Sequence, residues 1–350
     1  MKSTPILPSR IVVVAGVLLF AVTHALFALN SASGSPVVRQ LATGGGEREI
    51  QRALDELPPE GGTVLLAAGT YAIEHPIRLD RSHVALRGSG PGTVLRLVDG
   101  ANCPVVVLGY TAARPVQPVT ELCLADLMID GNRRHQSIER WVDASNQSGI
   151  QNNGVMVQGI SHSRVEHVTA AHCRSGGLVT ANGTRDLMVK GFTAYDNQFD
   201  GLACYRTEDS TFTGLNLYDN QAAGISLDLE FNHNVISDST LTANDLGIFM
   251  RRSSHNQFDS ITILRSHHDG VFMAQWGTGS AAGWQLIPQT ECAGNYFGQL
   301  DVYNCAGVAF RVHDAACVNN VIEDGVFSGN LKGGIDQARA DLVRLQESLE

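Results

Sequence analysis

The chain has 350 residues, with 25 Lys and Arg against 35 Asp and Glu for a formal net charge of −10, and it is rich in glycine (36) but poor in aromatics (6%). The acidic balance argues against a nucleic-acid partner, which needs a basic surface. The glycine content suits short strands joined by tight turns, and although this length would permit two domains, the repeats from Gly154 onward read as part of one unit.

The first 34 residues stand apart. Lys2 and Arg10 precede an apolar run from Ile11 to about Leu29, and small residues follow in Ser31-Ala-Ser-Gly-Ser35. This is the order of a secretory signal peptide. The run 11–29 is also nearly long enough to span a bilayer, so membrane anchoring is the alternative, and either way the remainder is expected outside the cytoplasm. Residues 35–43 read as a linker. From Gly46 to Leu57 the residues Ile50, Ala53, Leu54 and Leu57 share one helical face, which predicts a helix capping the open end of a stacked fold. Pro58-Pro-Glu-Gly-Gly62 stops it. Short strands at Thr63–Leu66, Ile77–Leu79, Val84–Leu86 and Thr93–Leu97 come next, separated by glycine turns. Asp130 to about Gly149 is a charged excursion.

Beyond it the chain repeats. Gly154, Gly177, Gly201, Gly224, Gly247 and Gly270 are separated by 23, 24, 23, 23 and 23 residues. The first and third residues after the glycine are apolar in nearly every unit, as in Val155/Val157, Leu202/Cys204, Ile225/Leu227, Ile248/Met250 and Val271/Met273. Alternation within a fixed period of this length means stacked strand-bearing coils. The fold expected is a single right-handed parallel β-helix over residues 44–335. Gly270 to Gly307 is 37 residues, which marks 276–290, with Trp276 and Trp284, as an insertion. Leu342, Val343, Leu345 and Leu349 predict a C-terminal capping helix over 336–350. Asn197, Asn220, Asn244, Asn304 and Asn330 precede coil glycines and are expected to form a turn ladder. Seven cysteines leave at least one unpaired; Cys204 reads as core. Cys292 and Cys317 each lie three residues before an asparagine, on equivalent positions of adjacent coils, where a disulfide can bridge them. No cysteine–histidine spacing suggests zinc.

The succession of helix, Gly-Gly-Thr-Val, Ala-Gly-Thr-Tyr and Leu-Arg-Gly-Ser-Gly-Pro-Gly-Thr-Val-Leu resembles the opening of the pectate-lyase-like β-helix superfamily. Leu97-Val-Asp-Gly100, Leu127-Met-Ile-Asp-Gly-Asn-Arg133 and the coil around Asp196-Asn197 are similar to the catalytic module of mannuronan C-5-epimerases. The resemblance spans about residues 43–335 and implies a polysaccharide substrate. Those epimerases carry Tyr-Gly-Phe-Asp-Pro-His where this chain has Gly176-Gly-Leu-Val-Thr-Ala181, so their acid and base do not transfer to these positions.

In the fourth place after the glycine, successive coils carry Gln158, Ala181, Tyr205, Asp228, Arg251 and Ala274. These side chains point outward, and parallel neighbours lie about 4.8 Å apart. Tyr205, Asp228 and Arg251 therefore form a column, with Glu230 expected on the same face. One reading is a surface ladder in which Asp228 pairs with Arg251, contributing about 0.2–1 kcal/mol. Another is a subsite for β-elimination or C-5 epimerisation of a uronate. Arg251 would then neutralise the carboxylate, Tyr205 would act as base or acid, and Asp228 would orient or neutralise. A third is a glycoside hydrolase using Asp228 and Glu230. Arg133, Arg134, His135, Gln158 and Trp276 are the candidate substrate-binding residues, set against a solvated loop or insertion packing. The function expected is an exported lyase- or epimerase-type protein acting on a uronate polysaccharide, the rival being a non-catalytic solenoid that binds glycan or protein. A monomer with no cofactor is expected, with calcium left open.

Overall fold

The computed structural model describes residues 37–111, 117–140, 151–275 and 291–345. They wind into a single-stranded right-handed parallel β-helix. Ten strands stack in chain order into one sheet, from Ile77–Leu79 through Val155–Gln158, Leu202–Tyr205, Ala223–Asp228, Leu246–Arg251 and Val271–Ala274 to Ile335–Gln337. Seventeen strands form a second, longer sheet. The alternation read from the repeats holds. Val155, Val157, Leu202, Cys204, Ile225, Leu227, Ile248, Met250, Val271 and Met273 are all fully buried in one continuous core. Phenylalanines add to it, with Phe258 and Phe297 stacked at 4.5 Å between ring centroids.

The repeating glycines are required by close approach. A Cβ on Gly177 would stand 2.6 Å from the carbonyl oxygen of Gly201, and one on Gly247 would stand 2.3 Å from that of Gly270, well inside contact distance. The corners between strands are held by left-handed residues instead. This conformation costs a residue with a β-carbon about 1–2 kcal/mol, least for side chains that can bond locally. Among the described residues 25 non-glycine residues have positive φ, and 17 of them are Asp, Asn or His, including His83, His162, His167, His172, His233 and His255. Half of the chain's 12 histidines thus have a conformational reason for their place.

Two asparagine ladders run through the turns. The Asn197 side-chain amide donates to Asn220 Oδ1 at 2.9 Å, and that of Asn220 to Asn244 Oδ1 at 2.9 Å. Each oxygen also accepts a backbone N–H, that of Asn197 for Asn220 and that of Asn220 for Asn244. Asn330 occupies the same column and accepts from the Cys305 backbone. Asn304 does not: it is a left-handed corner residue one position earlier, and Cys305 stands in the column. A second ladder of Asn234, Asn256, Asn295 and Asn320 is built in the same way.

The ends differ from expectation. The helix Glu47–Asp55 buries Ile50, Ala53 and Leu54. The expected linker instead contributes the strand Val38–Leu41, paired with Gly62–Leu66. At the other end Ile335–Gln337 and Val343–Leu345 continue the two sheets, so among the described residues no helix replaces them. The spacing of Leu342, Val343 and Leu345 fits either periodicity, and pairing with Asn320–Ile322 decides for strand. All seven cysteines are buried free thiols, so the pair Cys292 and Cys317 is not bonded here. Among the described residues no helix is long and apolar enough to cross a membrane. The expectations for residues 1–36, 141–149 and 276–290 lie outside the described residues.

The ladder gives one stability prediction. Asn220→Ala strands donors and acceptors in both adjoining coils, and we expect a loss of roughly 2–4 kcal/mol in urea unfolding. Loss of less than about 0.5 kcal/mol would show that the ladder is incidental.

Candidate functional site

The column read from the register is present in the ten-stranded sheet. Tyr205 is paired with Asp228, Asp228 with Arg251 and Arg251 with Ala274. Outward from the coil does not mean exposed, however. Met156, Val179, Ala181 and Ala203 are buried on this face with Val107, and Tyr205 packs against them. Ser226 and Asp228 retain only 7% and 2% of their surface. Two consecutive coils carry small residues in the second place after the glycine, Ala203 and Ser226, and both are buried.

Asp228 and Arg251 form a tight ion pair. Arg251 Nε donates to both carboxylate oxygens at 2.9 Å, and Nη2 also donates to Oδ2. The guanidinium carbon lies 5.6 Å from the Phe249 ring centroid. Burial pushes the Asp228 carboxyl above its ordinary value, and the Arg251 hydrogen bonds oppose that. Burial likewise pushes the Tyr205 phenol up, reinforced by Asp200 and Asp228, which disfavours Tyr205 as a base. The pair is therefore neither an exposed ladder nor a guanidinium left open for a substrate carboxylate.

Two expectations for this face are corrected. Glu230 does not share the strand face with Asp228. The strand ends at Asp228, and both Leu229 and Glu230 are left-handed, so alternation stops before Glu230 and does not place it on the face of Asp228. Gln158 is buried: its amide donates to the Tyr110 carbonyl at 3.2 Å and its oxygen accepts from Asn182 at 3.0 Å. It ties coils together rather than facing a ligand.

Asp200 is a functional candidate that the sequence pattern does not single out. It immediately precedes a coil glycine, as do Asn153 and Asp269. In all three the side-chain oxygen accepts the backbone N–H of the equivalent residue in the next coil: Asn153 from Gly176 at 3.0 Å, Asp200 from Ala223 at 2.9 Å and Asp269 from Val308 at 2.9 Å. Asp269 has Arg311 Nε at 2.7 Å; Asn153 is neutral. Asp200 pairs with no cation among the described residues. Desolvation pushes its carboxyl up to about 7, against the two backbone hydrogen bonds and helped by the Asp228 charge. A carboxyl raised to about 7 is matched to proton transfer near neutral pH.

Next to the column lies a cleft of about 300 Å³ lined by Phe249, Arg251, Phe272, Ala274, Gln275, His313 and Asp314. Phe249 and Phe272 stack with centroids 5.9 Å apart, and His313 lies 5.5 Å beyond Phe272. The phenylalanines sit in the second place after the glycine of successive coils, paired in register. Asp314 accepts the Gln275 backbone N–H at 2.7 Å.

Arg133, Arg134 and His135 form a short 3-10 turn after the strand Cys123–Asp130 of the other sheet. Arg133 pairs with Asp196. His135 Nδ1 lies 2.8 Å from Asn132 Oδ1, whose amide donates to Asp99 at 2.8 Å. His172 and Arg96 both engage Asp130, at 3.2 and 2.5 Å. Arg133 and His135 are thus occupied within this network, and Arg134 is exposed on it. Trp276 lies outside the described residues.

Residues 124–302 match the model of a protein family described as periplasmic copper-binding protein (NosD). No curated protein matches the sequence. Among solved structures the chain is similar to the A-module of the mannuronan C-5 epimerase AlgE4 of Azotobacter vinelandii, at 16% identity and a TM-score of 0.51 over 85% of this chain and 95% of that one. It is similar to a polygalacturonase of Erwinia carotovora at 10% identity and a TM-score of 0.54, covering 91% and 100%. The N-terminal fragment of bacteriophage Phi29 gene product 12 gives 14% and 0.62, covering 85% and 58%. These likenesses are of fold, in agreement with the superfamily resemblance read from the opening coils.

The site's electrostatics generate two predictions. Arg251→Ala leaves a buried carboxylate uncompensated, so stability should fall by roughly 3–5 kcal/mol, compared with at most about 1 kcal/mol for an exposed pair; urea midpoints distinguish these. The folded-state pKa of Asp200 is raised, so its ionisation opposes folding increasingly as pH rises from about 4 towards 7. Asp200→Asn keeps the acceptor for Ala223, as Asn153 does naturally. The variant should match wild type near pH 4 and exceed it by about 1–4 kcal/mol at pH 8. A difference independent of pH would assign the effect to packing.

Proposed function

The chain belongs to the NosD family of parallel β-helix proteins, and from that membership and the geometry of its outer face we propose that it is an extracytoplasmic protein that engages a uronate-containing polysaccharide on its ten-stranded sheet. The observation that carries this reading is the cleft beside the column. Its floor is the stacked pair Phe249 and Phe272, with Arg251 at one end and His313 at the other. Aromatic rings supply broad apolar contact for sugar rings, and the likeness of fold to a mannuronan C-5 epimerase and a polygalacturonase supports a uronate polymer over a neutral one. The leader expected at residues 1–34 and the family's periplasmic description support a location outside the cytoplasm.

Lyase or C-5 epimerase chemistry is the second reading, and Asp200 favours it. Removing or returning the proton beside a uronate carboxylate needs a group poised near the working pH, and the Asp200 carboxyl is at about 7. Tyr205 is better suited, as a neutral phenol, to donating a proton or hydrogen bond than to abstracting one. Asp228, held by Arg251, would keep a fixed charge next to Tyr205 in the column.

The family description names copper. The described residues do not suit it: no three His, Cys, Asp or Glu side chains among them converge where they could hold a metal ion. The stacked rings of His233 and His255, 5.3 Å apart, offer two. No step proposed for this site runs through a metal.

A panel of uronate and neutral polymers, with binding, unsaturated-sugar absorbance and C-5 proton exchange followed in parallel, tests the proposal. Uronate binding is expected, with Phe272→Ala weakening it about tenfold, an amount ordinary for one aromatic contact. Equal or absent binding of both polymer classes would overturn the proposal. Turnover that is lost in Asp200→Asn while binding persists would establish the catalytic reading.

A further inference from the structure

Cys292 and Cys317 are 25 residues apart, which is also the offset between the coils that carry them. Tyr296 pairs with Val321 and Phe297 with Ile322, and the Asn295 amide donates to Asn320 Oδ1 at 3.0 Å. Both cysteines are fully buried free thiols inside the coil. Adjacent parallel strands stand about 4.8 Å apart, within the Cα separation that a disulfide spans.

We propose that Cys292 and Cys317 are a covalent modification site, closing into a disulfide that ties the coil after the 276–290 segment to the last full coil. The oxidant is a low-molecular-weight or protein disulfide. The Cys292 thiolate attacks it, forming a mixed disulfide and expelling one thiolate; Cys317 then attacks the Cys292 sulfur and expels the second. Two thiols lose two electrons and two protons, and one external disulfide becomes two thiols.

Burial and the neighbouring thiol push Cys292 well above the ordinary thiol value, so the folded protein holds almost none of the thiolate that must attack. Closure therefore belongs to folding, before the last coil seals the core. The pair sits near the end of the described solenoid, where local opening is least opposed. Once formed, the bond is out of reach of reductant, and it joins a 25-residue loop whose entropy in the unfolded chain it reduces.

The test uses the full chain refolded from urea with either reduced or oxidised glutathione, then denatured without reductant, alkylated with iodoacetamide and peptide-mapped. Oxidised refolding should leave five cysteines labelled instead of seven, with a cross-linked peptide joining Cys292 to Cys317 and a Tm higher by roughly 5–10 °C. Oxidised glutathione added to already folded protein should leave all of them labelled. Full labelling after oxidative refolding, or a different pair linked, overturns the assignment. Because mapping is done on wild type, the result does not depend on whether Cys292→Ser or Cys317→Ser folds; where either folds, its cross-link and the Tm gain should be absent.

Discussion

The approach of one coil to the next governs the rest of this molecule. Each coil's carbonyls and amides are satisfied by the coils before and after it, and glycines allow that approach where a side chain would strike a carbonyl oxygen at 2.3–2.6 Å. Once the spacing is fixed, the main neighbour of any residue is the one about 23 positions away. Like therefore stacks on like: asparagine on asparagine in two ladders, Tyr195 on Tyr218 at 5.0 Å, Phe249 on Phe272. The cleft and the acidic column share this geometrical origin, because both are made by outward positions of successive strands.

The same regularity makes the fold legible in the sequence. A fixed period gives the coil and alternation within it gives the face, so the pairing of Tyr205, Asp228 and Arg251 needs no tertiary information. Sequence and structure part where one of those two regularities ends. Alternation stops at Asp228 because Leu229 and Glu230 turn left-handed, and no residue type there announces it, since leucine and glutamate are unusual choices for that conformation. Asn304 lies one position outside its ladder, at the left-handed corner, with Cys305 in the place an asparagine would take. Leu342, Val343 and Leu345 are too few to separate a period of two from one of 3.6.

Burial is the quantity least accessible to pattern. Direction relative to the coil is set by alternation, whereas burial depends on what lies over the face, and Met156, Val179 and Ala203 show that this outer face is buried over several coils. Direction alone makes surface groups of Gln158 and Asp228, and both are buried. The histidines carry a related lesson. A chain with 12 of them invites a metal site, but six occupy corners where a left-handed backbone favours Asn, Asp and His.

A stacked column also makes charge ambiguous. In-register strands bring an acid and a base together as readily for neutralisation as for catalysis, and Asp228 with Arg251 is well matched in the first sense, with three guanidinium contacts to one nearly buried carboxylate. The informative member of such an array is the one left unbalanced. Asn153, Asp200 and Asp269 accept the same backbone hydrogen bond in three coils, so the bond itself does not require a charge. Asp269 carries a charge and an arginine; Asn153 carries neither. Asp200 alone among the three has a carboxyl that no cation balances among the described residues, and desolvation raises it. An asparagine there would satisfy the backbone equally well, as Asn153 does, so the hydrogen bond alone does not account for an acid at this position.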